Sequence, residues 1–173
     1  DEFNLDEQLS ETEFPSPQQE IWKYSKIFNL DLESLNPSYN SPDDKKNEPS
    51  FLDIKDSGLI SINDGWLGNP KSGDFLASSQ GYLGSLANMG SELSHIEENF
   101  DKPKDFFDCL NRAYNPETLV IHVPDGVRHE SPIYIKIQSV TSGLVACPRI
   151  VVNLGENSEV KIVEHHLSSN GAS

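Results

Sequence analysis

Apolar residues recur along this chain with two different periods. In residues 14 to 32, Ile21, Tyr24, Ile27 and Phe28 fall at the three, four and seven spacing of one helical face, with Trp22 beside it. Ser16 is placed to cap and Pro17 suits a first turn, so a short amphipathic helix is expected there. Residues 36 to 50 have no period and several turn formers, which reads as a linker. Leu59, Ile60 and Ile62 before Asn63-Asp64-Gly65 predict a strand running into a turn, because Asp-Gly readily supplies positive φ. Residues 68 to 91 are rich in Gly and Ser, with Tyr82, Leu83, Leu86 and Ala87 fitting a brief helical turn. A second helix is expected over 103 to 114, where Phe106, Phe107, Leu110, Ala113 and Tyr114 share one side and Asn115-Pro116 ends the run.

After residue 118 the period becomes two. Leu119, Ile121 and Val123 alternate up to Pro124-Asp125-Gly126, then Ile133, Ile135 and Ile137 alternate, and further runs cover 150 to 154 and 160 to 167. The layout of Ile121, Val123, turn and Val127 returns as Val152, Leu154, a turn two residues longer, and Val160. A repeat of about 30 residues falls in the range of stacked units, of which a parallel β-helix is one. The same pattern also occurs in sandwiches and meanders.

Composition narrows the function classes. The 173 residues carry 28 acidic and 13 basic side chains, a formal charge of −15 that repels phosphate backbones and anionic lipid. Neither nucleic acid nor a membrane is an expected partner. Residues 1 to 20 hold seven carboxylates and no Lys or Arg, the composition of a solvated acidic tail. Only 35% of residues are hydrophobic and mean hydropathy is −0.51, so a core depends on the concentrated apolar runs after residue 105. No apolar run approaches the roughly 20 residues of a membrane span, and neither a basic start nor an apolar stretch of a signal peptide is present. Two cysteines suit reduced thiols in a cytoplasm-like compartment.

The candidate chemistry is sparse. Glu164, His165 and His166 form the most ligand-like cluster. On a strand, however, Glu164 and His166 share one face while His165 takes the other, and no third ligand is evident, so a structural role is expected. His122 and His129 flank the Pro124-Asp125-Gly126 turn, and His122 should point outward because its apolar neighbours point in. Cys109 on the second helix reads as a small hydrophobe, whereas Cys147 before Pro148 sits in a turn open to solvent. Trp22 and Tyr24 suit either packing or an interaction patch. No phosphate-binding loop, nucleophile elbow or paired carboxylates are found. The reading is therefore no catalytic residue, no metal site, and no assignable cofactor-binding residue.

Three stretches together resemble the SufD family of the SUF iron–sulfur cluster assembly system, within the SufB/SufD superfamily. They are Phe14-Pro15 with Glu20-Ile21-Trp22-Lys23-Tyr24-Ser25; Leu110-Asn111-Arg112-Ala113-Tyr114 with Ile121-His122-Val123-Pro124-Asp125-Gly126-Val127; and Pro148-Arg149-Ile150-Val151-Val152 with Gly155-Glu156-Asn157-Ser158 and Val163-Glu164-His165-His166. The Glu20 to Ser25 stretch favours SufD over SufB. Ser158 departs from the small Ala common in the family, and residues 38 to 50 and 68 to 80 look like insertions. The resemblance implies a mixed α and β chain: an acidic tail and mostly helical N-terminal region over 1–114, then the first coils of a right-handed parallel β-helix over 115–173, cut short at Ser173. It also implies a non-catalytic scaffold acting with a SufB-like paralogue and a SufC-like ATPase in a cytoplasm or plastid stroma. The fragment itself would bind no cofactor, the clusters being assembled on the complex. Rival readings are a β-helix carbohydrate-active enzyme and a structural β-helix protein.

Overall fold

The computed structural model of the protein describes residues 9–41, 58–70, 81–98 and 103–168. Residues 1–8 of the acidic tail, most of the expected linker, the stretch 71–80 and residues 169–173 lie outside them. Among the described residues there are nine strands: β1 (Asn36–Pro37), β2 (Gly58–Asn63), β3 (Trp66–Leu67), β4 (Tyr82–Ser85), β5 (Thr118–Val123), β6 (Ile133–Ser139), β7 (Leu144–Val145), β8 (Arg149–Leu154) and β9 (Ile162–Ser168). They form three sheets, in the orders β1-β7, β3-β2-β6-β9 and β4-β5-β8. The helices named here are α1 (His95–Glu98) and α2 (Phe106–Tyr114), with 3-10 turns η1 (Ile27–Asn29), η2 (Leu86–Asn88) and η3 (Ser91–Leu93).

The two larger sheets share one core. Alternation turns Leu119, Ile121 and Val123 of β5 and Ile133 and Ile135 of β6 inward, where they meet Ile60, Ile62, Leu67 and Leu83. Each fully buried Ile or Leu is worth about 1.5–3 kcal/mol by transfer, so these few rows dominate the stability of the unit. β5 and β6 are buried on the opposite face as well, at Val120, Tyr134 and Lys136. The pairs β2–β6, β6–β9 and β5–β8 are parallel, while the short strands β3 and β4 add to their sheets antiparallel. Ile121 lies opposite Val152 and Ile135 opposite Glu164.

The expected fold class is overturned. The described chain is sheet-rich with few helices, and its three sheets do not define a β-helix solenoid. A helical region does not precede the strands either, because β1 to β4 all arise before residue 115 and contribute to all three sheets. Tertiary pairing accounts for the difference. The expected helix over 14 to 32 is a run of turns with η1: Ile21 and Tyr24 remain 78% and 88% exposed, and burial of Ile27 alone does not offset the cost of nucleating a helix. Tyr82 and Leu83, placed in a helical turn by spacing, extend instead as β4 because β5 offers them a hydrogen-bonding edge. Asn36 and Pro37, placed in a linker, pair with β7. The second helix is present as α2, and it begins at Phe106 because the Asp105 carboxylate caps it by accepting the Asp108 N–H at 2.9 Å.

Candidate functional site

The residues that carry the family resemblance are joined to one another by hydrogen bonds. On α2, the Asn111 amide donates to the Pro148 carbonyl at 3.0 Å, and just beyond the helix Asn115 Nδ2 donates to the Cys147 carbonyl at 2.9 Å. These two side chains fix the approach to β8, so the second and third stretches are held as one piece. Beyond β5 and β8 the two turns stack. The Gly155 N–H donates to the Val123 carbonyl at 2.8 Å, the Gly126 N–H to the Glu156 carbonyl at 2.8 Å, and the Glu156 N–H to Asp125 Oδ1 at 2.8 Å. The partners in that last bond are 31 residues apart. Gly126 adopts φ +70°, which only glycine accepts freely. Gly155 is demanded by space instead: a Cβ there would lie 2.3 Å from Asp125 Oδ1 and 2.4 Å from the Asp125 nitrogen. Ser158, the departure from family pattern, donates its hydroxyl to the Gly155 carbonyl at 2.7 Å and so closes its own turn.

On the sheet face away from the core, Tyr82, His122 and Asn153 form a row across β4, β5 and β8. His122 Nδ1 lies 3.0 Å from Asn153 Nδ2, and the ring of His95 on α1 stands edge-on to it at 6.4 Å. Burial, with a smaller contribution from His95, lowers the His122 pKa, while the Asn153 hydrogen bond and then Asp125 act the other way. Burial raises the Tyr82 phenol, whose hydroxyl donates to the Ser85 carbonyl at 2.6 Å. His122 does point outward as alternation requires, but it is half-buried under His95 and not a free surface histidine.

The other sequence candidates are scattered. Glu164 and His166 share a face of β9 and pair with each other at 3.2 Å, both largely exposed. His165 takes the opposite face, where its Nδ1 meets the hydroxyl of buried Tyr134. Among the described residues no group of three or more His, Cys, Asp or Glu is arranged to hold a metal ion. His129 is half-buried and its N–H donates to the Glu159 carbonyl at 2.9 Å. Cys109 is buried on α2, and Cys147 is buried too, contrary to its expected exposure, with its thiol pushed up by desolvation. Trp22 packs edge-on against Phe107 at 5.4 Å, and Phe14 does the same against Phe106 at 5.0 Å, so the first stretch is docked onto α2 through its aromatic rings. Tyr24 faces solvent with the Lys23 ammonium 5.5 Å from its ring.

Sequence reasoning passed over Asp64, which is 2% exposed at φ +48° and accepts the Val140 N–H at 2.8 Å through Oδ1. The Asn63-Asp64-Gly65 turn was the available signal, but its long-range partner was not legible. It also passed over the Tyr134–His165 contact and the His95–His122 pair, which join residues far apart in the chain.

No model of a known protein family matches the chain. It is 27% identical over 169 residues to the protein ABCI7, chloroplastic, of Arabidopsis thaliana, an alignment covering 91% of this chain and 35% of that protein. The chain thus spans about a third of the length of that relative. No helix among the described residues is long and apolar enough to cross a membrane.

Proposed function

We propose that this chain is part of a non-catalytic, SufD-like scaffold subunit that supports iron–sulfur cluster assembly, in concert with a SufB-like paralogue and a SufC-like ATPase. The observation that carries this reading is that the residues bearing the resemblance build structure. Asn111, Pro148, Asp125, Gly126, Gly155 and Glu156 hold turns and strands to each other and converge no reactive groups on a common point. Trp22 and Phe14 dock the first stretch onto the same unit. The similarity to a chloroplastic Arabidopsis protein supports a plastid stroma as the compartment. Among the described residues β8 and β9 are outer strands of their sheets, and Val152 and Leu154 stand 43% and 49% exposed on β8, a surface to which further strands can add.

Affinity purification of the full-length protein carrying this segment tests the proposal. A SufB-like and a SufC-like protein should co-purify in stoichiometric amounts. Recovery of the full-length protein alone, or glycan-cleaving activity in the purified material, would refute it.

A further inference from the structure

The apolar side of α2 is covered less completely than that of a core helix. Phe106, Leu110 and Tyr114 follow one another at a spacing of four and so form a single stripe, yet all three are half-buried, and Cys109 is the only fully buried residue of the helix. Among the described residues this stripe faces an open cleft of about 250 Å³, whose other wall includes Leu32 and Leu35 from the segment leading into β1. That volume is below the range of roughly 300–1,000 Å³ typical of cofactor and small-molecule sites, and it suits an inserted apolar side chain better than a whole cofactor.

Charge narrows what could fill the cleft. Glu33 is the one charged side chain among its described lining residues, and it is exposed. Residues 9–41, to which Leu32, Glu33 and Leu35 belong, carry five carboxylates against Lys23 and Lys26, and the Lys23 ammonium already lies 3.9 Å from Glu20. The whole chain has a formal charge of −15, so a second copy of it is repelled, as are a phosphate backbone and anionic lipid. A cationic occupant is attracted.

We propose that this cleft is a docking site for a basic peptide segment of a partner protein, which seats one aliphatic or aromatic side chain against Phe106, Leu110 and Leu35 and pairs a neighbouring Lys or Arg with Glu33. Burial of one leucine side chain in the cleft strengthens binding about tenfold or more. The exposed ion pair with Glu33 adds up to about fivefold. The apolar side chain therefore supplies most of the affinity, and the charge selects the partner.

Fluorescence anisotropy with the full-length protein carrying this segment tests the site. The probe is a labelled Arg-Leu-Arg-Leu-Arg peptide, and the comparison is an Arg-Ser-Arg-Ser-Arg peptide of the same charge. The leucine peptide should bind at least about tenfold more tightly than the serine peptide. Leu35→Trp, which fills the cleft, should weaken the leucine peptide by about tenfold. Glu33→Lys should weaken it by about threefold or more, against little change in Glu130→Lys, which alters net charge equally at an exposed carboxylate outside the cleft lining. Failure of the leucine peptide to bind at millimolar concentration, equal affinity for the two peptides, or unchanged affinity in a folded Leu35→Trp variant would overturn the proposal. Equal losses in Glu33→Lys and Glu130→Lys would overturn it too, because attraction to net charge alone then accounts for binding. Glu33 is exposed, so its replacement leaves a folded protein for the comparison even if Leu35→Trp does not fold.

Discussion

Replacing Gly155 with Ala is the sharpest perturbation of the stacked turns. The added methyl would sit 2.3 Å from Asp125 Oδ1, 2.4 Å from the Asp125 nitrogen and 2.7 Å from the Pro124 carbonyl carbon. Two of those three atoms are backbone, so a side-chain rotation cannot relieve the clash. The turn must move by about an ångström, which strains a packed region at roughly 1–3 kcal/mol. The movement also loosens the bonds from Gly155 N–H to Val123 and from Glu156 N–H to Asp125, each worth about 1 kcal/mol. Together the loss is about 2–5 kcal/mol, a large part of the 5–15 kcal/mol typical of a domain. Gly126→Ala is the matched control: its Cβ meets nothing within 4 Å, so only the positive φ is penalised, at about 1–2 kcal/mol. Urea denaturation followed by circular dichroism measures both. Adding Asp125→Ala to Gly155→Ala should recover only part of the loss, because the backbone clashes persist. A Gly155→Ala variant no less stable than Gly126→Ala would refute the reasoning.

Three further outcomes follow from individual contacts. Asp64→Ala removes the buried carboxylate that accepts the half-buried Val140 N–H and places Ala at φ +48°, so a loss of about 1–3 kcal/mol is expected in the same denaturation assay, and Asp64→Asn should lose clearly less. Hydrogen bonding from Arg112 lowers the Asp108 pKa, so the stability it adds to α2 is present above the ordinary carboxylate range near 4 and disappears as pH falls through the depressed value; acid melts of Asp108→Asn should lack that component. Cys109 and Cys147 should react with an aromatic disulfide reagent only as fast as the protein unfolds, since both are buried and the Cys147 thiol is shifted up; prompt labelling of the native protein would contradict the packing.

Local signals in the sequence carried over where the chain's own neighbours decide the outcome. The apolar side of α2, the alternation of β5 and β6, and the turns at Asn63-Asp64-Gly65 and Pro124-Asp125-Gly126 were all legible, as was the split of Glu164 and His166 from His165. The misses arose where distant partners decide. Tyr82 and Leu83 look helical by spacing and become a strand only because β5 lies beside them. Ile21 and Tyr24, two positions of the expected helical stripe, face solvent, and the helix does not form. Cys147 looks open before a proline but is covered where Asn115 ties its carbonyl down. The repeat that sets Ile121 and Val123 on Val152 and Leu154 is the parallel register of β5 and β8, but the division of the strands among three sheets depends on pairings across the described chain that this repeat does not encode.

The scaffold reading is tested most directly by complementation with the full-length protein carrying this segment, in cells lacking their own SufD-like subunit, with the activity of an iron–sulfur enzyme as readout. The wild type and a Glu164→Ala/His166→Ala double variant should both restore activity, whereas Gly155→Ala should fail in proportion to its loss of folded protein. If the Glu164 and His166 replacements abolish activity while the protein remains folded and in its complex, those side chains perform chemistry and the non-catalytic account is wrong.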